Sequence, residues 1–283
     1  MRLLIGYDGS SYADAALADL QRAGLPPDVE ALVVTVGDTP LVPPFASHRI
    51  VEQTFAGERA RLIVEHANRQ VSDALAEAKR FACSAASQLK SLYPSWQVKS
   101  EVAAGKPARE LIRVAANWCA DLIVIGTQGR SALGRLLLGS VSLEVASQAQ
   151  CPVRIGRAVS KAETIALRVL VGLDRSRAAD RVLRHVLQRT WPRGTELRVV
   201  NADDRITAPE GVFRELFMDG LTVSAGILEG DAREVLIAEA HRWSADCIVF
   251  DSQLGGDHTE GLLDSGTCAA LTANTVCSLE VVR

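Results

Sequence analysis

A chain of 283 residues, 48% hydrophobic and 23% charged, with a formal charge of −3, has the composition of a soluble protein large enough for two ordinary domains. That slightly acidic balance excludes an electrostatic nucleic-acid binder. No apolar run approaches the ~20 residues of a membrane span, and MRLLIGYDGS lacks the basic start, long apolar core and cleavage site of a signal peptide. The expectation is a cytoplasmic protein with no membrane and no nucleic-acid partner. Six cysteines without C-x-x-C spacing and five dispersed histidines give no metal-site signature; buried free thiols in a reducing compartment are expected.

Arg2 to Tyr7 reads as a buried first strand, Asp8-Gly9-Ser10 as a turn, and Ser11 to Arg22 as a helix with Ala15, Ala16 and Leu20 inward. Asp8 stands at the carboxyl end of that strand, which faces the ligand crevice in open α/β sheets; a turn or N-cap aspartate is the plainer reading. Val29 to Val36 forms a second strand. Val71, Leu75, Ala78, Ala82, Ala85 and Leu89 recur at steps of four and three, one apolar stripe of a long helix. Trp96 to Ala103 alternates as a third strand, and Gly105-Lys106-Pro107 opens a helix ending near Trp118.

The stretch that follows carries the chemistry. Leu122 to Ile125 is a short apolar run of a strand buried on both faces. A loop with Gly126, Gly129 and, nine residues on, Gly139-Ser140 leads to a helix over Val141 to Gln148, then a short strand at Cys151-Pro152-Val153. Glycines admit close backbone approach, and a helix start gathers free N–H groups and a positive dipole end, together an anion site suited to phosphate. Turn glycines with Ser140 as an ordinary N-cap are the alternative. No lysine follows the second glycine pair, so this is not a Walker loop.

This Gly-x-x-Gly-x9-Gly-Ser pattern, with its strand, helix and Cys-Pro-Val, resembles the ATP-binding branch of the universal stress protein family. Arg130, the leucines 136 to 138 and Val141-Ser142 stand as in that family's usual surroundings. The resemblance implies a doubly wound parallel α/β sheet, flavodoxin-like or adenine nucleotide alpha hydrolase-like, of strand order 3-2-1-4-5. It also implies a nucleotide site in which Gly6 and Asp8 line the ribose and adenine side with Val36 and Ile125. Gly126, Gly129, Gly139, Ser140 and Val141 would hold the phosphates, and Arg130 would add charge. Gln128 departs from the basic residue usual at its position. Mg²⁺ is a companion expected wherever Asp8 approaches phosphate. No catalytic residue is expected, with slow ATP hydrolysis at most; an adenylate-forming or ATP-cleaving enzyme, and a nucleotide-free scaffold or apolar-ligand binder, are the alternatives.

After Arg157 the pattern restarts. Arg168 to Ser176 repeats Arg2 to Ser10 position for position, and Gly230, Trp243, Ala245-Asp246 and Ile248-Val249 repeat Gly105, Trp118, Ala120-Asp121 and Ile123-Val124. The chain therefore reads as a tandem duplication, residues 1–158 and 164–283, with the linker between. Asp251 and Leu254 replace Gly126 and Gly129, and Ser265-Gly266 replaces Gly139-Ser140. The second domain is expected to keep the fold and not bind nucleotide. The resemblance further implies pairing of the two domains through their last strands, antiparallel about a two-fold axis, with Arg154 near Glu280; a homodimer is a further possibility.

Overall fold

In the computed structural model, residues 1–38, 58–129, 138–157, 166–173, 176–201, 221–227, 230–252 and 265–283 are described. The linker at 158–164, Arg130 and Leu254 lie outside them.

Each half is a five-stranded parallel sheet built from β-α units. The first contains β1 (Arg2–Gly6), α1 (Ser11–Asp19), β2 (Glu30–Asp38), α2 (Glu58–Leu92), β3 (Gln97–Gly105), α3 (Pro107–Trp118), β4 (Leu122–Gly126), α4 (Ser140–Gln148) and β5 (Val153–Gly156). The second contains β6 (Arg168–Leu173), α5 (Ser176–Leu187), β7 (Glu196–Asn201), β8 (Thr222–Ile227), α6 (Ala232–Trp243), β9 (Cys247–Asp251), α7 (Ser265–Asn274) and β10 (Ser278–Val282). The strands form one sheet in the order β3-β2-β1-β4-β5-β10-β9-β6-β7-β8, which is 3-2-1-4-5 followed by its mirror order. All neighbours run parallel except β5 and β10, which pair antiparallel with Arg154 opposite Glu280.

The duplication is legible in small contacts. Asp121 accepts from the Arg2 N–H at 2.7 Å, and Asp246 from the Arg168 N–H at 2.9 Å. The Arg2 and Arg168 guanidinium groups donate to the carbonyls of Trp118 and Trp243, both at 3.1 Å. Both preceding helices end on a left-handed residue, Cys119 and Ser244. A Cβ on Gly6 would lie 3.0 Å from Leu111, and one on Gly172 2.7 Å from Leu236, so the same close helix-on-strand seat is kept twice.

Alternation along the strands sorts side chains between two layers. On one face a single core runs through both halves, joining Ile123, Val153 and Ile155 to Ile248, Phe250, Leu279 and Val281. On the other face each half has its own core, under α1 and α2 in the first and under α5 in the second. Arg154 and Glu280 project to this second face.

The elements depart from the sequence reading in three places. The helix after β1 stops at Asp19 and passes into a 3-10 turn over Leu20–Arg22, and Ala13, Ala16, Leu17 and Leu20 are buried while Ala15 is only half-buried. Gly156 explains the close fit, since a Cβ there would lie 2.7 Å from the Ala16 Cα. The thiols are not all buried: Cys83 and Cys119 are exposed and Cys151 is half-buried, with Cys247, Cys268 and Cys277 inside. Arg154 and Glu280 are opposed as expected, but as buried side chains, both 1% exposed or less.

Candidate functional site

The order 3-2-1-4-5 reverses direction between β1 and β4, and a crevice opens there beyond the carboxyl ends of the strands. In the first half it is a cleft of about 430 Å³. Gly6, Asp8, Val36 and Ile125 line it from β1, β2 and β4, and Gly126, Gln128, Gly129, Ser140 and Val141 line it from the loop and α4. The structure thus brings together the candidate residues that it describes, with one qualification. Gly139 does not line the cleft but seats its wall, its N–H donating to the Thr127 carbonyl at 2.8 Å.

Ser140 is the first helical residue and not the N-cap. Gly139 is the cap, with extended φ −64° and ψ 150°, and no side chain caps the helix. The N–H groups of the first turn have no acceptor within the helix, so a phosphate oxygen would meet donors and the positive dipole end together. Ser142 secures the turn by donating from Oγ to the Gly126 carbonyl at 2.8 Å. A Cβ on Gly139 would come within 3.2 Å of the Gln128 Cα, and one on Gly126 within 2.6 Å of the Tyr12 carbonyl oxygen. Both contacts are to backbone, which cannot swing aside.

Asp8 fulfils both of its readings. Its Oδ1 accepts from the Ser10 N–H at 3.0 Å and the Ser10 Oγ at 2.6 Å, and Ser10 in turn caps α1 by accepting from the Ala13 N–H at 3.1 Å. Its Oδ2 points toward the loop, 2.9 Å from where a Cβ on Gly129 would stand. Tyr7, beside it, donates to Asp14 Oδ1 at 2.6 Å. Burial, that hydrogen bond, and then the charges of Asp14 and Asp8 push the phenol well above its ordinary range, so it stays a neutral donor.

Val36 presents main-chain groups to the cleft because β2 outruns β1. The last β1 pairing is Gly6 with Val34, after which the Tyr7 N–H donates to the Val34 carbonyl at 3.0 Å. Two residues on, Val36 directs its N–H and C=O to the same side, past the end of β1. Val34, Ala108 and Leu111 complete an apolar wall.

Sequence reasoning missed Lys106 and Glu144, which also line the cleft. Lys106 occupies the N-cap position of α3, after Gly105 at φ +136°. The signal available was positional, because residues just after a strand's carboxyl end border the crevice. Among the described residues no group of three or more His, Cys, Asp or Glu could hold a metal alone.

In the second half the place of Gly126 is taken by Asp251, 1% exposed, with Arg181 Nη2 3.0 Å from its Oδ2. A buried carboxylate paired to a partly exposed arginine sits where the first half offers bare backbone.

The universal stress protein family model matches residues 1–157. Universal stress protein MJ0531 of Methanocaldococcus jannaschii is 43% identical over 70 residues, covering 24% of this chain and 41% of that protein. A universal stress protein of Mycolicibacterium smegmatis is 28% identical over 197 residues, covering 69% of this chain and 61% of its own length. The matched region therefore spans 41% to 61% of these two curated relatives. The crystal structure of a universal stress protein from Archaeoglobus fulgidus shares the fold over 100% of this chain and 98% of that one, at 22% identity and a TM-score of 0.59. Among the described residues no helix is long and apolar enough to cross a membrane.

Proposed function

The chain belongs to the universal stress protein family, and we propose that its first half binds ATP as a regulatory ligand, in the cytoplasm and without steady turnover. The observation that carries this reading is the meeting of an uncapped helix start at Ser140 with a backbone-lined loop at Gly129 in one cleft. Adenine fits the wall of Val36, Ala108, Leu111 and Ile125, with the Val36 main chain matching its hydrogen-bonding edge. The ribose falls to Gly6 and Asp8. The phosphates fall to the N–H groups of the loop after Gly126 and of Ser140 and Val141. Lys106 offers a cation that Gln128 does not. Bound Mg²⁺ would neutralise phosphate charge, with Asp8 its nearest hard oxygen ligand; a metal held chiefly through phosphates and water needs no protein cage.

The second half is a partner domain without nucleotide, since Asp251 and Leu254 replace the glycines whose bare backbone would meet phosphate in the first half. A cytoplasmic setting accords with six free cysteines. Mass spectrometry of small molecules released from the purified protein, followed by calorimetric titration with ATP, ADP and AMP, tests the reading. Copurifying adenine nucleotide and one ATP per chain are expected. Failure to bind any adenine nucleotide, or a copurifying apolar molecule instead, overturns it. Sustained hydrolysis over many turnovers replaces the regulatory ligand with a substrate.

A further inference from the structure

The antiparallel pair β5–β10 lies on the axis that relates the halves. Its register sets Val153 opposite Val281, Arg154 opposite Glu280 and Ile155 opposite Leu279. Val281 is the repeat of Ile155, and Glu280 is the repeat of Arg154, so the central position faces its own equivalent. A pair made of two first halves would put Arg154 against Arg154, and a pair of two second halves Glu280 against Glu280.

The charges around this position are inverted by the same repeat. Arg154 Nε donates to Asp19 Oδ2 at 2.6 Å, within the first half. In the second half Glu280 is bound by His185 and Arg189, and His185 is the repeat of Asp19. Acid beside base on one side becomes base beside acid on the other. The bonds that cross the axis depend on this difference. Arg154 Nη1 donates to Glu280 Oε2 at 2.8 Å, and Ser278 Oγ donates to Asp19 Oδ1 at 2.8 Å. The first-half repeat of Ser278 is Pro152, which has no donor. Either like pair keeps its own-side partners, loses both crossing bonds and opposes like charges in a buried site.

One further pair of contacts at the junction is symmetric and would survive in any pairing. Arg157 donates to the Thr272 carbonyl at 2.5 Å, and its repeat, Arg283, donates to the carbonyl of Ala146, the repeat of Thr272, also at 2.5 Å. These bring the two edges together without saying which edge is which. We infer that the Arg154–Asp19 and Glu280–His185–Arg189 cluster selects the partner. The β5 edge accepts only an edge carrying a buried acid with its own counter-cations, as on the second half of this chain or of another copy, and rejects a copy of itself. Like charges opposed in a buried interface cost several kcal/mol, so unlike pairing prevails on the order of a hundredfold.

Two full-length variants test this, Arg154→Glu and Glu280→Arg. Alone, each opposes like charges across its junction, and each opens, read as a larger radius in small-angle X-ray scattering. Mixed in equal amounts, the intact Arg154 edge of one chain meets the intact Glu280 edge of the other. Light scattering then detects a 1:1 dimer that neither variant forms by itself. If the variants do not fold alone, refolding them together yields soluble 1:1 dimers where separate refolding yields none. Single variants as closed as the parent chain overturn the inference. So does a mixture that remains monomeric, or a co-refolding that rescues nothing.

Discussion

Gly126 and Asp251 close the fourth strand of their respective halves, and the two halves diverge from that position. In the first, the absence of a side chain lets the Tyr12 backbone of α1 approach, and the loop and the start of α4 are left facing a cleft. In the second, a carboxylate enters the interior and pairs with Arg181 of α5, which stays partly exposed. Yet the seats that hold helix to strand, at Gly6 and Leu111 and again at Gly172 and Leu236, are the same. Packing constrains both copies alike, because a buried contact is lost wherever it is broken. Ligand chemistry constrains only the copy that uses it.

The largest effect is expected where the halves depend on each other. Arg154→Met removes the cation shared by Asp19 and Glu280 and leaves acids buried without it; about 3–5 kcal/mol of stability is lost, read from urea unfolding. Next, Gly129→Val places a branched side chain against Asp8 Oδ2 and denies the loop its close approach. ATP affinity falls at least about a hundredfold, near 2.7 kcal/mol, in calorimetry, while the urea midpoint moves far less than for Arg154→Met.

A third expectation concerns acid. Burial alone would raise the Glu280 pKa, but Arg189, His185 and Arg154 outweigh it and hold the carboxyl well below its ordinary 4.5. A depressed folded pKa means stability that is present above about pH 4.5 and lost as pH falls through the folded value. The stability gap between the parent chain and Glu280→Gln should therefore be widest at neutral pH and close below about pH 4.5 in urea titrations. The smallest effect belongs to Ser10→Ala, which uncaps α1 and costs about 1 kcal/mol; it also removes the hydroxyl, one of the two Ser10 donors to Asp8 Oδ1, and should alter ATP affinity in calorimetry.

Much of this was legible in the residues. Apolar runs bounded by glycine and aspartate placed β1 and β4 to within a residue, because a buried parallel strand leaves few choices of composition. The Gly126, Gly129 and Gly139-Ser140 spacing located the cleft, since backbone approach can be had only by omitting side chains. Lys106 was missed although its place just after β3 marks it, and Glu144 was not legible, because which position of α4 reaches a crevice is decided by packing. The charge cluster was half legible: Arg154 and Glu280 followed from the repeat, but Asp19, His185 and Arg189 join them only through the way α1 and α5 cross the sheet. That omission has a consequence for charge reversal. Exchanging Arg154 and Glu280 together sets a new acid beside Asp19 and a new cation beside His185 and Arg189, so double reversal does not restore the junction.

Among the described residues, ten strands hydrogen-bonded in one sheet leave edges at β3 and β8, and the two strands most distant from either are β5 and β10. Their amides can meet solvent only after the halves part, and one face of that boundary is a core common to both. The slowest hydrogen exchange in the molecule belongs therefore to the middle of the sheet, at the seam between the repeats. A duplicated chain built in this way is expected to melt in a single calorimetric transition, its two copies sharing one folding free energy.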